Sequence, residues 1–151
     1  MMKNSKFTRS IMIRCNAETA FDYTQDYDHR LNWDSFLKKA ELVEGAKAAG
    51  LGVKAWCVAK NGLGMETQYV SFNRPRATAI KMTKGPFMFQ LFLGSWTFKE
   101  VQAELTEVVF LYSFRLRFPF NMISGTIKRN LQTNVEQRLR DLKSVIEQSK
   151  A

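Results

Sequence analysis

The spacing of apolar and polar positions predicts a strand, two short helices, six further strands and a long C-terminal helix. Residues Phe7 to Cys15 alternate as a strand does and end at Asn16, a residue type that favours a helix N-cap. A short helix with an apolar stripe follows from Ala17, and a second helical turn carries Leu31 and Trp33. The chain therefore begins with a strand that leads into two short helices.

The next part of the chain alternates as a set of strands separated by turn signals. The dipeptide Asn61-Gly62 and the segment Asn73-Arg74-Pro75 favour tight turns, which keep neighbouring strands antiparallel. The strands are predicted at Leu37 to Gly45, Val53 to Lys60, Gly64 to Phe72, Arg76 to Lys84, Leu91 to Val101 and Leu105 to Arg117.

The C-terminal segment has one sustained helical period. From Phe120 or Asn121 to about Gln148, apolar residues recur at the 3.6-residue spacing, which predicts a helix of roughly 28 residues and about 42 Å. An antiparallel sheet of seven strands twists strongly and can bury one face by curling around this helix. Because no repeat or linker interrupts the pattern, we expect an α+β fold in a single domain over residues 1–151.

Composition adds a basic charge and a high aromatic content. The 151 residues contain 23 Lys and Arg against 14 Asp and Glu, giving a formal net charge of +9, so anionic partners are plausible. The high aromatic content, 12 Phe, 4 Tyr and 3 Trp, indicates that these side chains line a large apolar space. One His and two Cys, Cys15 and Cys57, cannot form a Cys/His zinc site, and we expect neither a metal nor a cofactor.

Targeting signals are weak in this sequence. The N-terminal cations are followed by only a short apolar run, unlike a signal peptide, and no window has the roughly 18 apolar residues of a membrane-spanning helix. We therefore expect a cytoplasmic protein with reduced thiols, although a Cys15–Cys57 disulfide stays open. The pattern leaves the oligomeric state open.

Two segments resemble a known superfamily. The segment Ile13 to Trp33 (IRCNAETAFDYTQDYDHRLNW), the glycine-bearing loop Val43 to Lys54 (VEGAKAAGLGVK) and the element order resemble the START-like, helix-grip (Bet v 1-like) superfamily. Within it, the chain is similar to the bacterial polyketide cyclase/dehydrase-like branch (SRPBCC). The family usually starts its first helix with Pro-Ala-Glu, where this chain has Asn16-Ala17-Glu18, a departure that concerns capping alone.

The resemblance implies an apolar cavity between a curved sheet and the C-terminal helix, which holds a lipid, polyketide or similar hydrophobic ligand. Alternation places aromatic rows on one face of the last two strands, and in the family the cavity lies near the N-terminal half of the long helix. Taken singly, each residue of these rows is favoured to fill the core against the long helix, whereas the argument for a cavity lining is stronger for the set as a whole. The candidate ligand-binding residues are Trp33, Tyr69, Phe87, Phe89, Trp96, Phe98, Phe110, Tyr112, Phe114, Phe120, Ile123, Ile127 and Leu131.

Two apolar segments are candidates for the cavity entrance. In the helix-grip fold, the positions of Phe87 to Phe89 and of Phe118 to Met122 lie at its mouth. With the surrounding lysines and arginines, they are expected to form a hydrophobic entrance that can contact an anionic membrane. The alternative is that both segments fold inward and close the cavity.

Catalytic and nucleic-acid signals are weaker. No nucleophile motif or phosphate loop is present, and His29 lies in a polar turn typical of a solvated surface, so we assign no catalytic residue. A cofactor-independent cyclase or dehydratase using Tyr69, Tyr112 or Glu66 stays open, although the inward face of the fourth strand is ambiguous. A ribosome- or RNA-associated role ranks third, because no RNA-binding motif or long basic run accompanies the charge.

Overall fold

The computed structural model describes residues 4–149 and shows a seven-stranded antiparallel sheet curled around a C-terminal helix. In space the strands run β1-β7-β6-β5-β4-β3-β2. The predicted helix-grip α+β architecture is therefore confirmed. The strands are β1 (Ser5–Ile13), β2 (Leu37–Leu42), β3 (Lys54–Ala59), β4 (Gly64–Asn73), β5 (Ala77–Lys84), β6 (Phe89–Gln102) and β7 (Leu105–Leu116).

The helices follow the predicted order with shifted boundaries. Helix α1 (Ala17–Thr24) begins where expected, because the Asn16 side chain accepts a hydrogen bond from the Thr19 amide at 2.8 Å. The second predicted helix is only a single 3-10 turn, Arg30–Asn32. Helix α2 (Ser124–Gln148) begins later than predicted, since a 3-10 turn at Phe120–Ile123 comes first.

The inner faces of β6 and β7 form the aromatic core that the alternation predicts. Phe92, Trp96 and Phe98 of β6 are buried, as are Val108, Phe110, Tyr112 and Phe114 of β7. Gly94 pairs with Tyr112 across the two strands. A Cβ atom on Gly94 would lie 3.1 Å from the Tyr112 ring, so the glycine leaves the space that this ring needs.

A register shift sets the inward phase of β4. Met65, Thr67 and Tyr69 face the interior, and the pairing with β5 then shifts between Tyr69 and Ser71. This irregularity turns Phe72 inward, where its ring lies 5.3 Å from that of Phe21. Strict alternation would have placed Ser71 there instead.

Helix α2 packs closely against the sheet only in its C-terminal half. Val135, Leu139, Leu142 and Ile146 are buried, whereas Ile127 in the N-terminal half is only partly so. Arg9 of β1 and Glu136 of α2 form an ion pair at 2.7 Å. Within residues 4–149, none of the helices has the length and apolar character needed to cross a membrane.

Candidate ligand-binding site

A cavity of about 590 Å³ lies between the sheet and the N-terminal half of α2. This volume is within the range typical of small-molecule sites, which are mostly apolar with a few polar groups. Strands β4, β5, β6 and β7 supply one wall, and α2 supplies another. The apolar part of the lining consists of Phe36, Leu37, Ala59, Leu63, Met65, Ile80, Pro86, Met88, Phe89, Phe92, Trp96, Phe110, Ile127 and Leu131.

The structure brings many of the sequence-predicted residues to this cavity. Tyr69, Phe89, Trp96, Phe110, Tyr112, Ile127 and Leu131 all line it. Trp33, Phe98 and Phe114 are buried in the core and lie outside the lining. Contact between any of these residues and a ligand stays a prediction.

The remaining predicted residues, Phe87, Phe120 and Ile123, lie within or next to the two apolar segments. Phe87 is 72% exposed and Ile123 is 52% exposed, so both face solvent. Phe120 is partly buried against the core. Neighbouring Met88 does line the cavity, and its carbonyl accepts a hydrogen bond from the Arg117 amide at 2.8 Å, which joins the two segments.

A buried ionic cluster forms one polar part of the cavity wall. The Asp34 carboxylate accepts hydrogen bonds from Arg138 Nε at 3.0 Å and Nη2 at 2.9 Å, and from Arg30 Nε at 2.9 Å. It also accepts one from the Phe36 amide at 3.3 Å. Arg30 and Arg138 line the cavity, while the side chain of Asp34 is fully buried behind them.

The two arginines keep Asp34 ionised. Burial alone raises the pKa of this carboxyl, but the charges and hydrogen bonds of Arg138 and Arg30 outweigh burial and lower the pKa below its ordinary value. Burial lowers the pKa of each guanidinium, but the Asp34 charge more than offsets this effect, and both pKa values are raised. The cluster therefore holds two cations and one anion.

Phenols continue this polar wall. The Tyr112 hydroxyl oxygen accepts a hydrogen bond from Arg138 Nη1 at 2.9 Å. The Tyr69 hydroxyl donates to Gln25 Oε1 at 2.5 Å and lies 3.4 Å from the Tyr27 hydroxyl oxygen. Burial raises the pKa of Tyr69 well above its ordinary value, so it is a neutral hydrogen-bonding group at physiological pH.

The other polar or reactive candidates from the sequence are Glu66, His29 and Cys57, and only Cys57 lines the cavity. Glu66 lies outside the cavity lining and accepts a hydrogen bond from the Thr83 hydroxyl at 2.7 Å. His29 is largely exposed and lies 2.6 Å from an Asp26 carboxylate oxygen. Cys57 lines the cavity, and burial raises the pKa of its thiol; no disulfide joins it to the buried Cys15.

The sequence reasoning missed the ionic cluster. Residues 26–30 look like one solvated polar turn, yet Arg30 is buried, and Arg138 is buried among the apolar residues of α2. One signal was available, because Arg138 follows Val135 by three positions and precedes Leu142 by four, on the same buried face of α2. Asp34 and Arg30 carry no such signal, since their spacing is typical of exposed helical pairs.

A metal site is absent from the part of the chain that the structure describes. Among residues 4–149, no group of three or more His, Cys, Asp or Glu side chains is arranged to hold an ion. The chemistry that these residues can perform is hydrogen bonding, charge stabilisation and apolar burial.

A curled sheet that grips a long helix around an apolar cavity defines the helix-grip fold class. The family model described as polyketide cyclase / dehydrase and lipid transport matches residues 5–147. The chain belongs to this family. No curated protein matches the chain significantly.

Solved structures confirm the fold at low sequence identity. The ZhuI aromatase/cyclase from Streptomyces sp. R1128 is 13% identical, with a TM-score of 0.85 and coverage of 99% of this chain and 97% of that one. The protein XoxI from Bacillus cereus is 14% identical, with a TM-score of 0.79 and coverage of 97% and 99%. Norcoclaurine synthase from Thalictrum flavum, in complex with dopamine and hydroxybenzaldehyde, is 8% identical, with a TM-score of 0.74 and coverage of 99% and 90%.

Proposed function

We propose that residues 1–151 form one domain that binds a hydrophobic small molecule or lipid in the cavity between the sheet and α2. The observation that carries this proposal is the cavity itself, about 590 Å³ in volume and lined by Phe89, Trp96, Phe110 and Leu131. Burial of an apolar ligand there contributes about 25 cal/mol per Å² of apolar surface removed from water. The phenols and arginines of the polar wall then orient the ligand.

A fluorescent apolar probe tests this proposal. N-phenylnaphthylamine is expected to bind the wild-type protein, and Leu131→Trp is expected to weaken binding by about tenfold or more, because the indole occupies the space of the probe. Thr133→Trp is the matched control, since Thr133 lies on the exposed face of the same helix. Equal binding by Leu131→Trp and Thr133→Trp would place the probe outside the cavity and contradict the proposal.

A second candidate function is a cofactor-independent cyclase in the same cavity, and one contact favours it. Because Tyr112 accepts a hydrogen bond from Arg138, its own hydroxyl proton is available to a ligand carbonyl oxygen. A phenol supported by a guanidinium stabilises the negative charge that forms on such an oxygen when a carbon–carbon bond closes beside it.

Turnover separates catalysis from binding alone. With a linear poly-β-ketone as substrate, a cyclase would form the ring product faster than the uncatalysed reaction, as followed by mass-resolved chromatography. Tyr112→Phe would abolish the acceleration while N-phenylnaphthylamine still bound, and Glu66→Gln would leave it unchanged, since Glu66 lies outside the lining. If the ring product formed no faster with the wild-type protein than in buffer alone, the cyclase function would be rejected.

We also propose that the apolar entrance contacts an anionic membrane. Phe87, Phe118 and Met122 are each at least 66% exposed, and the Arg117 guanidinium lies 5.2 Å from the centre of the Phe87 ring. Exposed aromatic residues next to cations are typical of a surface that meets lipid headgroups.

Vesicle binding tests the membrane contact. The variant Phe87→Asp/Phe118→Asp is expected to lose co-sedimentation with vesicles that contain phosphatidylglycerol. Leu51→Asp should retain it, because Leu51 is equally exposed, at 71%, but lies in the β2–β3 loop. Unchanged sedimentation of the double variant, with the fold intact by circular dichroism, would refute the contact.

A further inference from the structure

We propose that the ligand of this cavity is an apolar molecule with an anionic oxygen group, such as a carboxylate, and that Arg30 and Arg138 bind that group. This inference rests on the proposed binding function and adds the chemical class of the ligand. Two observations support it. The charged side chains that line the cavity are all cations, and the Asp34 carboxylate is fully buried behind two of them.

The charged side chains of the lining all have the same sign. Among the described residues, those that line the cavity and carry a full charge are Arg30, Lys60 and Arg138, whereas no Asp or Glu lies in the lining. The single carboxylate of the cluster, Asp34, has no exposed side-chain surface. A ligand in the cavity therefore meets cations and does not meet an anion.

Asp34 balances only one of the two buried arginines. Two guanidinium charges and one carboxylate leave a net charge of one cation inside a largely apolar cavity. Proteins rarely bury a charge without a partner, because a buried charge loses its hydration and gains little in return. An anionic group on the ligand would complete the balance.

The neighbouring titratable groups do not supply the missing anion. Tyr27, Tyr69 and Cys57 face the same part of the cavity. Burial raises the pKa of each of these groups, so all three are neutral at physiological pH. The phenols can add neutral hydrogen bonds to an anionic ligand, but they leave the charge of the arginines uncompensated.

The donor geometry favours an oxygen anion. Asp34 already accepts four hydrogen bonds, and they occupy Arg138 Nε and Nη2 but only Nε of Arg30. A guanidinium carries five N–H donors in a planar fork that matches the two oxygens of a carboxylate. Arg30 thus lines the cavity while Asp34 holds it through Nε, and its terminal nitrogens donate no hydrogen bond to Asp34.

A matched pair of probes tests this inference. Anilinonaphthalene sulfonate differs from N-phenylnaphthylamine by one anionic group, so the ratio of their affinities reports the contribution of the charge. Wild-type protein is expected to prefer the sulfonate, and Arg30→Gln is expected to lower the ratio by about tenfold, since hydrogen bonds to charged groups are the strong ones. The control Arg140→Gln, on the exposed face of α2, should leave the ratio unchanged.

The outcomes separate the ligand class from the binding function. A wild-type preference for the neutral probe, or an unchanged affinity ratio in Arg30→Gln, would overturn the proposal that the ligand is anionic. If the neutral probe still binds in that case, the proposed binding function stands. Loss of both probes from the wild type would instead overturn the binding function. If Arg30→Gln does not fold, Lys60→Glu is tested in its place, because Lys60 is an exposed cation of the lining. This substitution should lower the affinity ratio by about threefold. An unchanged ratio would also overturn the inference.

Discussion

Asp34 joins two parts of the chain through one buried carboxylate. It accepts hydrogen bonds from Arg30, four positions earlier, and from Arg138 on the C-terminal helix, 104 positions away. Because all three side chains are buried, removal of one partner leaves the others uncompensated. The cluster therefore serves both the fold and the cavity wall.

Substitution of Asp34 tests its contribution to stability. Asp34→Asn leaves two buried guanidinium charges without their carboxylate, which is expected to lower the free energy of unfolding by about 3–5 kcal/mol. Urea denaturation followed by circular dichroism measures the loss. Asp28→Asn is the matched control, because Asp28 is exposed, and it should change stability by less than about 0.5 kcal/mol. Similar values for both variants would contradict the role of the cluster.

The pH dependence of stability follows from the lowered pKa of Asp34. Above the ordinary value of 3.8, the carboxylate is ionised in the folded and unfolded chains, and its stabilising contribution is fully present. As the pH falls below 3.8, the unfolded chain binds the proton first, and the contribution is lost towards the lower folded pKa. The difference in unfolding free energy between wild type and Asp34→Asn should therefore be constant above pH 3.8 and become smaller below it. A difference that grows on acidification would mean that folding raises the pKa of Asp34 and would contradict this prediction.

Helix α2 has two different surroundings along its length. Its C-terminal half packs tightly, with Leu142 fully buried, whereas Leu131 in the N-terminal half borders the cavity. The C-terminal half is also tied to β1, because Lys143 Nζ donates a hydrogen bond to the Met12 carbonyl at 2.7 Å.

Truncation at these two positions should give unequal losses. Leu142→Ala opens a new void in close packing and is expected to cost about 2–5 kcal/mol of unfolding free energy. Leu131→Ala only enlarges an existing cavity, so we expect less than half of that loss in the same urea titration. Equal losses at the two positions would indicate that Leu131 is packed as tightly as Leu142.

The elements were predictable from the sequence because their periods are strong. Alternation identified the buried faces of β6 and β7, and the helical stripe identified α2. The phase of β4 was not predictable, since both of its faces carry polar residues, and the register shift after Tyr69 then turns Phe72 inward. The start of α2 was also misplaced, because apolar Phe120 and Ile123 continue the stripe through a 3-10 turn.

At the scale of the whole molecule, the sheet and the helix enclose a cavity with an apolar body and one cationic wall. The apolar residues of that cavity were partly predictable, since aromatic rows such as Trp96 and Phe110 cannot face water. The cationic wall was not, because it depends on a contact between Asp34 and Arg138 that sequence spacing does not encode. The spacing of Arg30 and Asp34 looks the same in the sequence as that of an ordinary surface pair.

The measurement that tests the account most directly is a crystal structure of the protein in complex with N-phenylnaphthylamine. The account predicts electron density for one probe molecule between β6, β7 and α2, with its rings against Trp96, Phe110 and Leu131. A saturated complex with the probe on the outer surface and the space between sheet and helix filled by side chains would contradict it.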